Sequence, residues 1–324
     1  MYSQSEAEPL RCLILSDGRR GIENQALGLA ESCAELRPLR LQTQHIAYSS
    51  ALAALPPKAQ LRVAKFDLPD CDIAIGCGRQ AIAPLIHIKR TRPAVFTVYV
   101  QDPRLDTKYF DVVIAPEHDD IRGANVELMI GSPNRVTKAR IIGETLSFAD
   151  GLSKLPMPRA ALMIGGNSKT HKLDKVSHAA HMKAAKDLLA AGQSLLITAS
   201  RRTPDFAMLE WKRLASDHDH VWFHDGEGPN PYFAFLGGAE MILVTEDSTN
   251  MLTEACAAGK PVYRLPMSGK AGKFQRLYDA LETRCHVTLY EGQLNGSDYS
   301  PLYETARIAK RLWVHYDQAR GANV

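Results

Sequence analysis

The stretch Met241–Pro266, MILVTEDSTNMLTEACAAGKPVYRLP, decides the fold. Met241–Thr245 is a short apolar run of β-formers and reads as a buried strand. Met251, Leu252, Ala255 and Cys256 then recur on one side of a helical segment. Asp247 or Ser248 supplies an N-cap, and Gly259 stands at the helix end. Val262–Leu265 reads as a second strand. The unit is β–α–β with a tight polar junction. In a parallel sheet such junctions lie at the carboxyl ends of the strands, where open α/β folds bind ligands. A helix N-terminus there offers free N–H groups and a positive dipole to phosphate. Glu254 lies roughly two turns into the helix. The same pattern also suits an ordinary βαβ unit with a well-capped helix.

Working outward, the pattern repeats on both sides. Ala160–Ile164 is a strand running into Gly165-Gly166-Asn167-Ser168-Lys169-Thr170-His171, with a helix from about Ser177 to Ala191. Backbone N–H groups, hydroxyls and a lysine in that loop suit an anion. Ser194–Ala199 is a strand ending at Ser200-Arg201-Arg202-Thr203-Pro204, where Thr203 is expected to cap the next helix and Pro204 to open it. Arg201 and Arg202 are either a phosphate site or a solvated basic loop. Val221–Phe223 is a further strand, and Tyr232–Leu236 a short helix.

Earlier in the chain, Cys12–Ser16 stops at Asp17-Gly18-Arg19-Arg20-Gly21, and a helix runs from Glu23 to Cys33. Gly18 and Gly21 permit a tight turn and close ligand approach. No Gly-Lys-Ser/Thr follows, so this is no Walker loop. Further strands at Ile73–Ile75, Val95–Val100 and Val112–Ala115 end at Gly76–Gly78, Asp102–Arg104 and Glu117–Asp119. Alternating strands and helices imply two parallel, doubly wound sheets. His118 is the best-placed titratable group among these loops, an unperturbed histidine titrating near ~6.5.

The 324-residue length suits two domains. The expected division is an N-terminal Rossmann-like domain over 1–150, a linker over 151–158 (GLSKLPMP), a C-terminal Rossmann-like domain over 159–300, and a terminal helix over 301–324 that packs back on the first domain. Hydrophobic residues at 45% and charged residues at 23% give a globular chain. A net charge of +3 gives no argument for nucleic acid as a partner. The six cysteines show no CxxC spacing, so no metal or redox motif is visible, and reduced core cysteines of a cytoplasmic protein are expected. The start, MYSQSEAEPLR, lacks a leader pattern, and no apolar run reaches the ~20 residues of a membrane span. The loop Met267–Lys273 carries two lysines. It is a thin basis for peripheral contact with an inner membrane.

Four motifs together carry a family resemblance: Ser16–Gln25 (SDGRRGIENQ), Ile164–Ser168, Ser200–Pro204, and Thr245–Ser248 through Glu254 to Gly259-Lys260-Pro261-Val262. On these the chain resembles the mitochondrial fission ELM family of plants and many bacteria. The resemblance implies a GT-B-like architecture, two Rossmann-like domains facing across a cleft, similar in layout to the lipid-linked N-acetylglucosamine transferase of peptidoglycan synthesis. It implies a nucleoside-diphosphate sugar, UDP- or GDP-linked, as substrate, with no cofactor and no metal, and a lipid-linked or other unidentified acceptor. Glu254 would hold the ribose hydroxyls. Asp247, Ser248 and Thr249 would meet the diphosphate, with Gly165, Gly166 and Ser168 as the facing loop. Arg201 or Arg202 would offset phosphate charge. Gly18 and Gly21 would admit acceptor or donor phosphate. Asp17, Glu23 and His118 stand as unranked candidates for the base that an inverting transfer needs. A carboxylate at Asp247 would repel a diphosphate unless it points away. The family's plant members recruit a dynamin-like protein to mitochondria, so a non-catalytic adaptor is one alternative, and a nucleotide-sugar epimerase is another.

Overall fold

The computed structural model describes residues 8–321. Met1–Ala7, where no leader is expected, and Ala322–Val324 lie outside the described residues. The chain forms two compact units, one running to Arg135 and resuming at Tyr303, the other Val136–Leu302.

The first unit is built on six parallel strands: β1 (Leu10–Ser16), β2 (Leu39–His45), β3 (Ile73–Cys77), β4 (Phe96–Val100), β5 (Val112–Pro116) and β6 (Val126–Met129), in the order β2-β1-β3-β4-β5-β6. Strand order reverses at β1/β3. The run Cys12–Leu15 is apolar without alternation because β1 is covered on both faces. Cys12 and Ile14 face a cluster with Leu29, Ile75 and Val98, and Leu13 and Leu15 face another with Leu85, Tyr99 and Val113. The first cluster is closed by the C-terminal helix Glu304–Ala319, which buries Ile308, Leu312 and Trp313. The Trp313 indole N–H donates to the Cys33 carbonyl at 3.1 Å.

The second unit contains β7 (Arg159–Ile164), β8 (His171–Lys172), β9 (Ser194–Ala199), β10 (Val221–His224), β11 (Met241–Thr245), β12 (Val262–Leu265), β13 (Ser268–Gly269) and β14 (Thr288–Leu289). Six of them form a parallel sheet in the order β10-β9-β7-β11-β12-β14, the dinucleotide-fold order 3-2-1-4-5-6 counted along the chain. Its reversal is at β7/β11. β8 and β13 pair antiparallel as a separate ribbon that joins the loop after β7 to the loop after β12. Trp211 on the helix Asp205–Asp217 is fully buried among Leu162, Ile197 and Leu243. The architecture is α/β with two doubly wound, Rossmann-like parallel-sheet units.

The unit boundary falls at Arg135/Val136, not at 150, and 151–158 is not a free linker. The helix Lys138–Ser147, capped by the Thr137 hydroxyl, and the helix Ala149–Ser153 both belong to the second unit. Their seats are made by glycines. A Cβ on Gly237 would meet Thr145 Oγ1 at 2.3 Å, and one on Gly151 would meet the Trp222 ring at 2.5 Å. Lys138–Ser147 has no fully buried residue. No described helix is long and apolar enough to cross a membrane, and none of the six cysteines, all buried, forms a disulfide.

Candidate functional site

At the β7/β11 reversal every residue of the Thr245–Ser248 motif has a partner. The Thr245 hydroxyl accepts the Gly165 N–H at 2.7 Å and donates to Asp247 Oδ1 at 2.8 Å. Glu246 pairs with Arg264 at 2.8 Å and accepts the Met267 N–H at 3.1 Å. Asp247, its side chain fully buried, accepts the Gly166 N–H at 3.1 Å and Arg202 Nη2 at 2.7 Å. Ser248 is the N-cap of the helix Thr249–Ala257, accepting from the Met251 N–H at 3.4 Å. Thr249 is the first residue of that helix.

Three βα loops therefore interlock. Arg202 Nη1 also donates to the Asn167 carbonyl at 3.0 Å, and the Thr203 hydroxyl donates to the Gly165 carbonyl. Thr203 does not cap its helix; Pro204 occupies that position and makes no side-chain cap. Gly165 and Gly166 are glycines because the loops cross on them. A Cβ on Gly165 would sit 2.0 Å from Asp247 Oδ1, and one on Gly166 2.0 Å from the Arg202 carbonyl oxygen. The Ser168 hydroxyl accepts the Thr170 and His171 N–H groups at 3.2 and 3.0 Å, folding the turn into β8. Arg201 is exposed beside this lock. Asp247 thus points into the glycine loop and away from the helix axis. Its charge is matched by Arg202, whose side chain remains 44% exposed at the sheet edge.

Glu254 lies five residues beyond Thr249, half-buried, and accepts the Tyr232 hydroxyl on Oε2 at 2.5 Å. Burial pushes the Glu254 carboxyl up to about 7, and the Tyr232 hydrogen bond opposes that rise. Burial, then the Glu254 charge, raises the Tyr232 hydroxyl far above its ordinary range, so it stays a donor. Tyr232 opens the helix Tyr232–Gly238 and was legible in sequence only as part of a short helix; a seven-residue helix does not reveal which way its aromatic faces.

In the first unit, Asp17 binds Arg19 of its own loop, through Nε at 2.8 Å, Nη2 at 2.5 Å and the backbone N–H at 3.1 Å. Gly18 has φ +77° and open space around a would-be Cβ. Gly21 falls inside the helix Arg20–Ala34, one turn earlier than the expected start at Glu23. Glu23 meets His45 Nε2 at 2.6 Å, at the carboxyl end of β2. His118 follows β5, buried, with Nε2 3.8 Å from Asp119 Oδ1. The strand order β1-β3-β4-β5 sets it three strands, roughly 14 Å, from the loop of Asp17. His118 is therefore not brought to the other two candidate bases, whereas Asp17 and the Glu23–His45 pair follow the neighbouring strands β1 and β2. Asp102, Arg104, Thr107, Asp119 and Arg122 line an open hollow of about 420 Å³ at the same sheet edge.

The sequence and the fold both have relatives. The chain is 28% identical over 268 residues to the mitochondrial fission protein ELM1 of Arabidopsis thaliana, covering 74% of this chain and 62% of the plant protein. It therefore spans less than two thirds of that relative's length. Among solved structures, the UDP-GlcNAc 2-epimerase of Methanocaldococcus jannaschii in complex with UDP-GlcNAc and UDP superposes with a TM-score of 0.52 at 14% identity, over 94% of this chain and 99% of that one. The spinosyn forosaminyltransferase SpnP gives 0.50 at 11% identity, over 97% and 96%. At such identities the likeness is one of fold, a GT-B-like, glycosyltransferase-like fold. The model of the mitochondrial fission ELM1 family matches residues 20–316, and the chain belongs to that family.

Proposed function

We propose that the protein is a GT-B-type, metal-independent glycosyltransferase that takes its sugar from a nucleoside-diphosphate donor held by the second unit. The observation that carries the reading is the arrangement at β7/β11. A Ser248-capped helix presents its first-turn N–H groups beside a half-exposed Arg202, and a half-buried carboxylate, Glu254, stands further along the same helix. First-turn N–H groups and an arginine suit a diphosphate, whose charge grows as it leaves. A carboxylate suits vicinal ribose hydroxyls. The nucleotide-bound state of the epimerase with this fold supports the same ligand class. The hollow at the first unit's edge, lined by aspartates and arginines beside His118, offers a polar seat for a hydroxyl-rich acceptor. Calorimetric titration of the folded protein with UDP and GDP tests the reading: saturable heat supports it, and silence at millimolar ligand rejects it. Turnover of a nucleotide sugar without acceptor, read by NMR of the anomeric region, would make it an epimerase instead.

A second reading is favoured by one observation. Arg202 is held by Asp247, and Gly165 and Gly166 are filled by neighbouring loops, so much of the sheet edge is satisfied internally. That suits a scaffold that recruits partners. It predicts that Glu254→Ala keeps biological activity; loss of activity at unchanged stability rejects it.

A further inference from the structure

We propose that Tyr232 is a positioning residue of the nucleotide subsite: its hydroxyl occupies Oε2 of Glu254 and leaves Oε1 to accept from the ribose hydroxyls, so that the pair selects ribonucleotides over 2′-deoxyribonucleotides. The proposal rests on the nucleotide-sugar reading of the second unit and names how its ribose would be gripped.

Both carriers are rigid. Tyr232 follows Asn230, whose side chain accepts the Tyr232 N–H at 3.1 Å. Its helix is anchored by Phe235, fully buried, with the Trp222 ring 5.0 Å away at 77°. Glu254 sits on a helix fixed by the Ser248 cap and by fully buried Leu252, Ala255 and Cys256. From Thr249 to Glu254 the helix rises about 7.5 Å, comparable to the span from a diphosphate to the ribose hydroxyls of one nucleotide. A carboxylate with one oxygen already taken has one oxygen left, held in a fixed direction. A site built to pair with a hydroxyl discriminates strongly against the ligand that lacks it, because its polar group is then left unmatched.

The same bond ties recognition to pH. Ionised, Glu254 accepts on both oxygens and more strongly than the acid form, which keeps a proton on one of them, and burial holds its carboxyl at about 7. Tyr232 donates to the ionised form and so favours it. Among the elements packed on the Glu254 helix, β11 and β12 lead into Glu246 and carry Arg264, which pair with each other. The helix Gln275–Cys285 brings Arg284 and Cys285, which act on Cys256 and not on Glu254. Burial thus raises the carboxyl, and Tyr232 is the titratable neighbour that acts against it.

The test is calorimetry with UDP and 2′-deoxy-UDP between about pH 6 and 9 on the wild type, Tyr232→Phe and Glu254→Gln. The wild type should prefer UDP, with a preference that collapses as pH falls through about 7. Tyr232→Phe should move that midpoint upward by roughly one pH unit and lose most of the preference at neutral pH. Glu254→Gln should leave only the pH dependence of the ligand itself. Carbon-13 titration of the glutamate carboxyls reads the coupling without ligand: the resonance absent from Glu254→Gln should titrate higher in Tyr232→Phe. An unmoved midpoint in Tyr232→Phe, or equal affinity for UDP and 2′-deoxy-UDP, overturns this proposal alone. A wild type that binds neither UDP nor GDP overturns the nucleotide-sugar reading, and the proposal with it.

Discussion

The two units share a parallel, doubly wound plan and differ in how they are closed and in what fills their reversal points. At β1/β3 the first unit has a loop that serves itself: Asp17 binds Arg19 two residues on, and Gly18 stands in open space. At β7/β11 the second unit has a lock made from three loops far apart in sequence, with Gly165, Gly166, Arg202, Thr245 and Asp247 in mutual contact. The first is a local turn bonded within itself. The second is a fixed platform, suited to holding a rigid, charged ligand in one pose. Closure differs too. The second unit is one continuous segment, whereas the first is completed by a helix from the far end of the chain.

The largest effect should come from that closing helix. Ending the chain at Leu302 removes Ile308, Leu312 and Trp313, each buried against β1, β3 and the helix Arg20–Ala34. At about 2 kcal/mol per large side chain the loss is roughly 6 kcal/mol, comparable to the whole stability of a domain. The first unit should unfold, with loss of far-UV ellipticity and rapid proteolysis. The second should keep the emission and melting of its own Trp211 and Trp222. A truncated chain with undiminished ellipticity would break the comparison at its root.

Much of this was legible in sequence, for a physical reason. Central parallel strands are buried on both faces, so they appear as uninterrupted apolar runs such as Cys12–Leu15 and Leu195–Ile197, each cut off by a glycine or polar loop. The helix cap at Ser248 follows from local chemistry of the same kind. What had no local signal was the partner of each polar residue. Asp247 finds Arg202 across 45 residues of chain, and Gly165 finds Thr245 across 80. The same glycines that read as room for phosphate are room for neighbouring loops. The boundary at Arg135 was hidden because Lys138–Ser147 seats on Gly237 of a helix far along the chain, a contact with no local signal. Tyr232 and His45 were missed because their partners, Glu254 and Glu23, come from other elements.

Second in size is the contrast between two glycines. Gly166→Ala would drive a Cβ to 2.0 Å from the Arg202 carbonyl oxygen, a backbone atom. About 3–4 kcal/mol of destabilisation is expected, since three loops must part. Gly18→Ala meets nothing and bears only the strain of φ +77°, about 1 kcal/mol. Urea unfolding followed by tryptophan emission compares them. Equal losses would mean that the platform is no stiffer than the turn.

Acid should separate the units next. His181 is fully buried in the second unit and its Nε2–H donates to the Pro266 carbonyl, 2.7 Å away; burial lowers it from 6.5 to about 4. Above pH 6.5 it is neutral folded and unfolded, so it adds no pH dependence. Between 6.5 and about 4 the unfolded chain takes up a proton that the folded one refuses, and stability falls with pH, by up to about 3 kcal/mol. Burial lowers the neighbouring His178 as well, adding to the same limb. The melting of Trp211 and Trp222 should drop through this window, and His181→Gln should flatten the drop. A pH profile unchanged by that substitution would remove His181 as the cause.

The smallest effect is the sharpest test of the platform itself. Arg202→Ala leaves Asp247, its side chain wholly inaccessible, with the Gly166 N–H and the Thr245 hydroxyl as its remaining partners. Removing one partner of a buried pair usually costs more than the pair contributes, but Arg202 is 44% exposed and partly screened. The expected cost is about 2 kcal/mol. Arg19→Ala also strips a carboxylate of its cation, and Asp17 is nearly as inaccessible, at 3%. The difference lies in what each acid can do afterwards. Asp17 is hydrogen-bonded within its own turn, whose residue-19 N–H stays with it; that turn is expected to swing the carboxylate toward water, and the loss to stay below about 1 kcal/mol. Asp247 is caged by two glycines that admit no movement and must stay buried with its charge uncompensated. Two equal shifts in the urea midpoints of the Trp313 and Trp211 transitions would show that Asp247 escapes as readily as Asp17, and that the interlocked loops are no more a fixed platform than the local turn is.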